Sequence, residues 1–61
     1  MEVRFFFTDK EELKLPEGFR DTKIEESRDN LIIISGTIPT KNFFDTELFE
    51  KNPSLFGYEI L

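Results

Sequence analysis

Leu31-Ile32-Ile33-Ile34, continued by Ser35-Gly36-Thr37-Ile38, leaves this chain few ways to fold. Three of the four leading residues are β-branched, and crowding at Cβ that weakens a helix suits a pleated, extended backbone. Because odd and even positions are both apolar, the strand is expected to be buried on at least part of both faces. Ser27-Arg28-Asp29-Asn30 precedes it with turn chemistry, so the segment before it should fold back as a hairpin.

That segment, Asp21 to Glu26, has Ile24 as its only large apolar side chain. A strand so polar belongs at an edge or covers only part of one face. Loop length sets which face Ile24 joins. A two- or four-residue loop places it with Leu31 and Ile33, and a three-residue loop with Ile32 and Ile34; the first is favoured.

Near the start, Val3, Phe5 and Phe7 alternate with Arg4, Phe6 and Thr8, giving a strand over Glu2 to Thr8 with one apolar face and Phe6 projecting from the other. Thr8-Asp9-Lys10-Glu11 has the form of a capping box, but Pro16 leaves room for one turn or an irregular loop only. Pro16-Glu17-Gly18 is a turn, after which Phe19 is expected to fold back into the core. Gly36 marks a bulge or bend, and Pro39 ends ladder pairing or confines it to an edge.

Beyond Pro39, Thr40 or Asn42 caps a helix over roughly residues 43–51, where Phe44 and Leu48 share a face; Asp45 as the cap shortens it by a turn. Asn52-Pro53 stops it, since the residue before proline is pushed toward extended geometry. Tyr58-Glu59-Ile60-Leu61 is a terminal strand with Tyr58 and Ile60 on one face. The expectation is therefore one α+β domain over residues 1–61: a small, mostly antiparallel, three- to four-stranded sheet with one short helix packed on a face, in the order β-loop-β-β-α-β.

At 61 residues such a domain buries only about 60% of its unfolded surface, so a monomer is possible but marginal, and the usual supports are disulfides, metals or self-association. The chain has no cysteine and no histidine, which removes disulfides and disfavours zinc. Eight Phe and one Tyr leave an aromatic core or self-association. No run approaches the roughly 18 apolar residues of a membrane span, and the first residues are charged too soon for a signal peptide, so a cytoplasmic protein that meets no membrane is expected.

Thirteen acidic against eight basic residues give a net charge of −5. That disfavours direct nucleic-acid binding, which needs a basic footprint, and serves solubility or steering toward a basic partner. Carboxylates gather at Asp9, Glu11 and Glu12, at Glu25, Glu26 and Asp29, and at Asp45, Glu47 and Glu50. None has the alternating ligand pattern of a calcium loop, so these are solvated faces, and no metal, cofactor or catalytic residue is expected. Without His, Cys or a phosphate-binding glycine loop the chain is expected not to be an enzyme.

The apolar content exceeds what one helix covers, because a two-layer fold leaves one sheet face open. Either the Thr8 to Arg20 loop, with Leu13, Leu15 and Phe19, wraps that second face, or another chain does. The interface candidates are Phe6, Ile32, Ile34, Phe43 and Tyr58, with Glu25 and Glu26 as an acidic rim. The expected function is a small acidic interaction protein that inhibits or regulates a larger protein, by analogy with the small inhibitors of phages and mobile elements. Expected partners are that protein and a second copy in a homodimer. A self-assembling structural subunit and an inhibitor imitating nucleic-acid phosphates are the alternatives.

Overall fold

The computed structural model describes residues 1–8, 13–40, 43–44 and 46–61. Strands β1 (Glu2–Phe7), β2 (Arg20–Arg28) and β3 (Leu31–Thr37) are followed by helix α1 (Thr46–Lys51) and strand β4 (Leu55–Ile60). All three strand pairings are antiparallel, and the spatial order is β2-β3-β1-β4. The α+β class and element order expected from sequence are those observed. Among the described residues no helix is long and apolar enough to cross a membrane.

Register decides which side chains form the core. β1 meets β3 with Val3 opposite Gly36, Phe5 opposite Ile34 and Phe7 opposite Ile32. Directly opposed residues share a face, so Ile32 and Ile34 join the phenylalanines of β1. Val3, Phe5, Phe7, Ile32, Ile34 and Ile38 are buried there, closed over by Phe19, Leu48 and Leu55. Phe5 is the hub: its ring meets Phe19 edge-on at 4.8 Å and lies within 6.3 Å of Phe7, Phe43 and Phe44. Burying a side chain of this size stabilises by roughly 1.5–3 kcal/mol, which makes an aromatic hub the main support of so short a chain.

This corrects two expectations. Ile32 and Ile34, taken as surface candidates, are each only 2% exposed, because alternation from Phe5 and Phe7 places them under the helix layer. Ile24 was expected beside Leu31 and Ile33, yet it stands opposite Ile34. The hairpin does have the two-residue turn, Asp29-Asn30, with Arg28 facing Leu31. The parity changes further along, where a bulge between Ile24 and Glu26 inserts an extra residue and turns everything upstream to the other face.

A second irregularity, between Arg20 and Lys23, contains Asp21 at φ 52°, a left-handed backbone that aspartate tolerates. The bend expected at Gly36 thus lies on its partner strand. Gly36 itself is needed for proximity: a Cβ there would stand 2.6 Å from the Phe19 ring and 2.7 Å from the Arg20 carbonyl. Phe19 reaches this position through the Pro16–Phe19 turn, where its N–H donates to the Pro16 carbonyl at 3.3 Å and Gly18 takes φ 89°.

The described part of the loop before β2, one of the two expected covers of the second face, turns to the first instead. Phe19 is buried in the core, Leu13 packs against it, and Leu15 is exposed. The helix begins at Thr46, so Phe43 and Phe44 precede it and still pack on the core. Asn52 ends it, its Nδ2 donating to the Leu48 carbonyl at 2.8 Å in place of the next turn's N–H. β4 then starts at Leu55, three residues before the expected strand. The Thr8–Glu11 capping box, the acidic cluster of Asp9, Glu11 and Glu12, and the candidate caps Asn42 and Asp45 fall wholly or partly outside the described residues.

Candidate protein-binding face

The other face of the sheet carries no layer of its own among the described residues. From β1 it takes Arg4 and Phe6, and from β3 Leu31, Ile33 and Ser35, since Phe6 opposes Ile33 and Arg4 opposes Ser35. β2 contributes Lys23, Glu26 and Arg28, opposite Ser35, Ile33 and Leu31. At the far side Phe56 is the extra residue of a bulge in β4, and its ring lies 6.2 Å from that of Phe6. Leu31, Ile33, Phe6 and Phe56 therefore form an apolar stripe running obliquely across the sheet. The first three are half-buried by neighbours, and Phe56 is 56% exposed.

A frame of charges surrounds the stripe. Arg4 Nε donates to Glu25 Oε2 at 2.6 Å and its Nη2 to Oε1 at 3.4 Å, a two-pronged grip, while Nη1 reaches Glu59 Oε1 at 3.4 Å. Glu25 lies two strands away, beyond β3. The guanidinium reaches it because the residue between them, Ser35, is small. One side chain thus links β2, β1 and β4 over the surface of β3. Arg28 pairs with Glu26 at 2.7 Å beside Leu31 and Ile33. The hydrogen bond from Arg4 holds the Glu25 carboxyl below the usual glutamate range, against a smaller opposing effect of desolvation, and Glu25 in turn raises Arg4.

The balance of signs on this face differs from that of the whole chain. Glu2, Glu25, Glu26 and Glu59 are matched by Arg4, Arg20, Lys23 and Arg28, placed there by register and by the Arg4 ion pairs. All three arginines of the chain lie here, and Asp21 adds a further carboxylate at the margin of the face. A groove of about 340 Å³ continues the face past Ser35, lined by Glu2, Lys23, Thr37 and Leu61 among others. Among the described residues no three acidic side chains converge as a metal site.

Of the residues singled out from sequence, the structure brings Phe6, Glu25 and Glu26 together on this face. Ile32 and Ile34 lie in the core, and Phe43 is half-buried against it. Tyr58 is on the helix side of β4, stacked on Phe44 at 4.3 Å and 20° and still 43% exposed. Arg4, Leu31, Ile33 and Phe56 were missed as site residues. Alternation within β1 already sets Arg4 beside Phe6, but only the pairing registers bring Leu31, Ile33 and Phe56 to the same face. Comparison with known proteins finds no matching family model, no similar curated protein and no similar solved structure.

Proposed function

We propose that this chain is a non-enzymatic interaction domain that binds a larger protein, as its inhibitor or regulator, with the open face of its sheet. The observation that supports this is the Leu31, Ile33, Phe6 and Phe56 stripe set inside charges that are already paired. A partner covering the stripe removes apolar area from water, while Arg4 and Arg28 keep their carboxylates. Aromatic and arginine side chains around an apolar centre are the types that carry most binding energy at protein interfaces. Imitation of nucleic-acid phosphates draws no support from β2, where Glu25 and Glu26 each face an arginine. A cytoplasmic setting belongs to the same reading, on the ground that the core relies on phenylalanine and not on disulfides.

The test is affinity capture from the source organism's extract with the wild-type chain, Ile33→Glu, Phe56→Glu and, on the helix side, Glu47→Lys. Folding of each variant is first checked by circular dichroism. Proteins held by the wild type and by Glu47→Lys should be lost with both stripe variants. Equal capture by all four sinks the open-face reading.

A further inference from the structure

The two edges of the sheet are built differently. β2 closes one side with six charged residues in nine and two register irregularities, the devices by which proteins keep an edge from pairing with another chain. β4 closes the other with one charged residue, Glu59, in six. Of the eight large apolar side chains exposed among the described residues, four are Phe56, Tyr58, Ile60 and Leu61. A fifth, Phe49, lies against Tyr58.

Backbone direction shows what this edge offers. The Leu61 N–H donates inward to the Glu2 carbonyl at 3.0 Å. Successive residues of a strand point their backbone groups to opposite sides, so Glu59 and Gly57 also face β1, and Tyr58 and Ile60 face outward. No described strand lies beyond them.

We infer that β4 pairs antiparallel with β4 of a second copy, around a two-fold axis at Tyr58, to give a continuous eight-stranded sheet. In this register the outward N–H and C=O of Tyr58 bond those of its counterpart, and Glu59 stands opposite the second copy's Gly57. Moving the axis by one residue, to Glu59, sets two like charges directly opposite each other, which is destabilising. A second copy fits better than an unrelated strand because it closes the assembly. Both unprotected edges are consumed, and the sheet then ends in two charged, bulged β2 edges that resist further addition. The inference uses the outer edge of β4 and stands apart from the open-face reading, which uses one surface of the sheet.

Light scattering on the full chain over a concentration series should give twice the 7.3 kDa chain mass. Ile60→Pro removes only an outward N–H, keeps the ladder to β1, and should return the mass to one chain at the same concentrations. Ile33→Glu should leave the double mass intact, which separates this edge from the open face. Because the chain has no cysteine, a single introduced one reports on register. Tyr58→Cys should form an interchain disulfide, its Cα atoms being about 5.5 Å apart across the axis. Glu59→Cys should not, with its Cα atoms about 8 Å apart, given the rise of two residues along the strand. A single-chain mass throughout, an Ile60→Pro variant that folds and keeps the double mass, or equal cross-linking of the two cysteine variants overturns the inference. If Ile60→Pro fails to fold, the cysteine pair decides alone.

Discussion

Ile32 and Ile33 are neighbours in sequence with the same side chain, and the fold sends them to opposite faces, so one substitution made twice measures the difference between the faces. Ile32→Ala removes three carbons from a site 2% exposed. At about 0.8 kcal/mol per carbon, with a further term for the cavity left under Phe7, the cost comes to about 3–4 kcal/mol. A chain of this length has only about 3–9 kcal/mol in total. Ile33→Ala removes the same atoms from a half-buried position opposite Phe6, where water already reaches part of the side chain, and should cost about 1 kcal/mol. With a urea slope near 1 kcal/mol/M for a small domain, the Ile33→Ala midpoint falls by roughly 1 M. Ile32→Ala should fall by roughly three times as much or leave the chain unfolded in buffer. Both are to be read at one fixed protein concentration, since a dimer makes the midpoint depend on it. Equal losses would mean that Ile33 is as enclosed as Ile32, and the open face would have to be abandoned.

Two shorter predictions follow from other contacts. Gly36→Ala forces a methyl toward the Phe19 ring and the Arg20 carbonyl, and should destabilise by about 1–2 kcal/mol after the small gain from a stiffer unfolded chain; an unchanged or higher urea midpoint would show that β2 gives way without cost. Glu25 is held below its ordinary pKa by Arg4, so its stabilisation is full above the unfolded value of about 4.3 and is lost as pH falls through the lower folded value. The wild type should therefore exceed Glu25→Gln in urea midpoint at neutral pH, and the gap should close in acid. A gap that stays constant down to pH 3 would argue against the ion pair as its source.

Much of the fold was legible because local chemistry and tertiary packing agree. Val3, Phe5 and Phe7 alternate cleanly, Pro16 and Gly18 turn the chain, Phe19 returns to the core, and Asn52-Pro53 stops the helix where the sequence says it should. What stayed hidden was parity. Leu31 to Ile34 are apolar at every position, so alternation within β3 carries no information about which face is covered; that comes from pairing with β1, a contact between distant parts of the chain. The bulge beside Glu25 has no glycine to announce it, yet it reverses the facing of Ile24. Gly57, the residue just before the expected terminal strand, lies inside β4 opposite Phe6. The candidate face suffered most, because Arg4 joins Glu25 and Glu59 only once three registers are fixed together.

The strand order also has a consequence in time. β1 is made before the other strands but sits inside the sheet, between β3 and β4, so its two neighbours emerge long after it. Only the β2–β3 hairpin is local, and it can form while the rest of the chain is still open. Until β4 arrives, Phe5 and Phe7 have half a sheet and an incomplete lid, and the growing polypeptide carries a sticky aromatic strand with an unpaired flank. Folding should accordingly be slow for so small a domain, with β1 docking late on the hairpin and β4 sealing it last. During synthesis β1 is thus exposed before its partner strands have followed it, and a crowded ribosome or a chaperone meets it well before the structure that protects it exists.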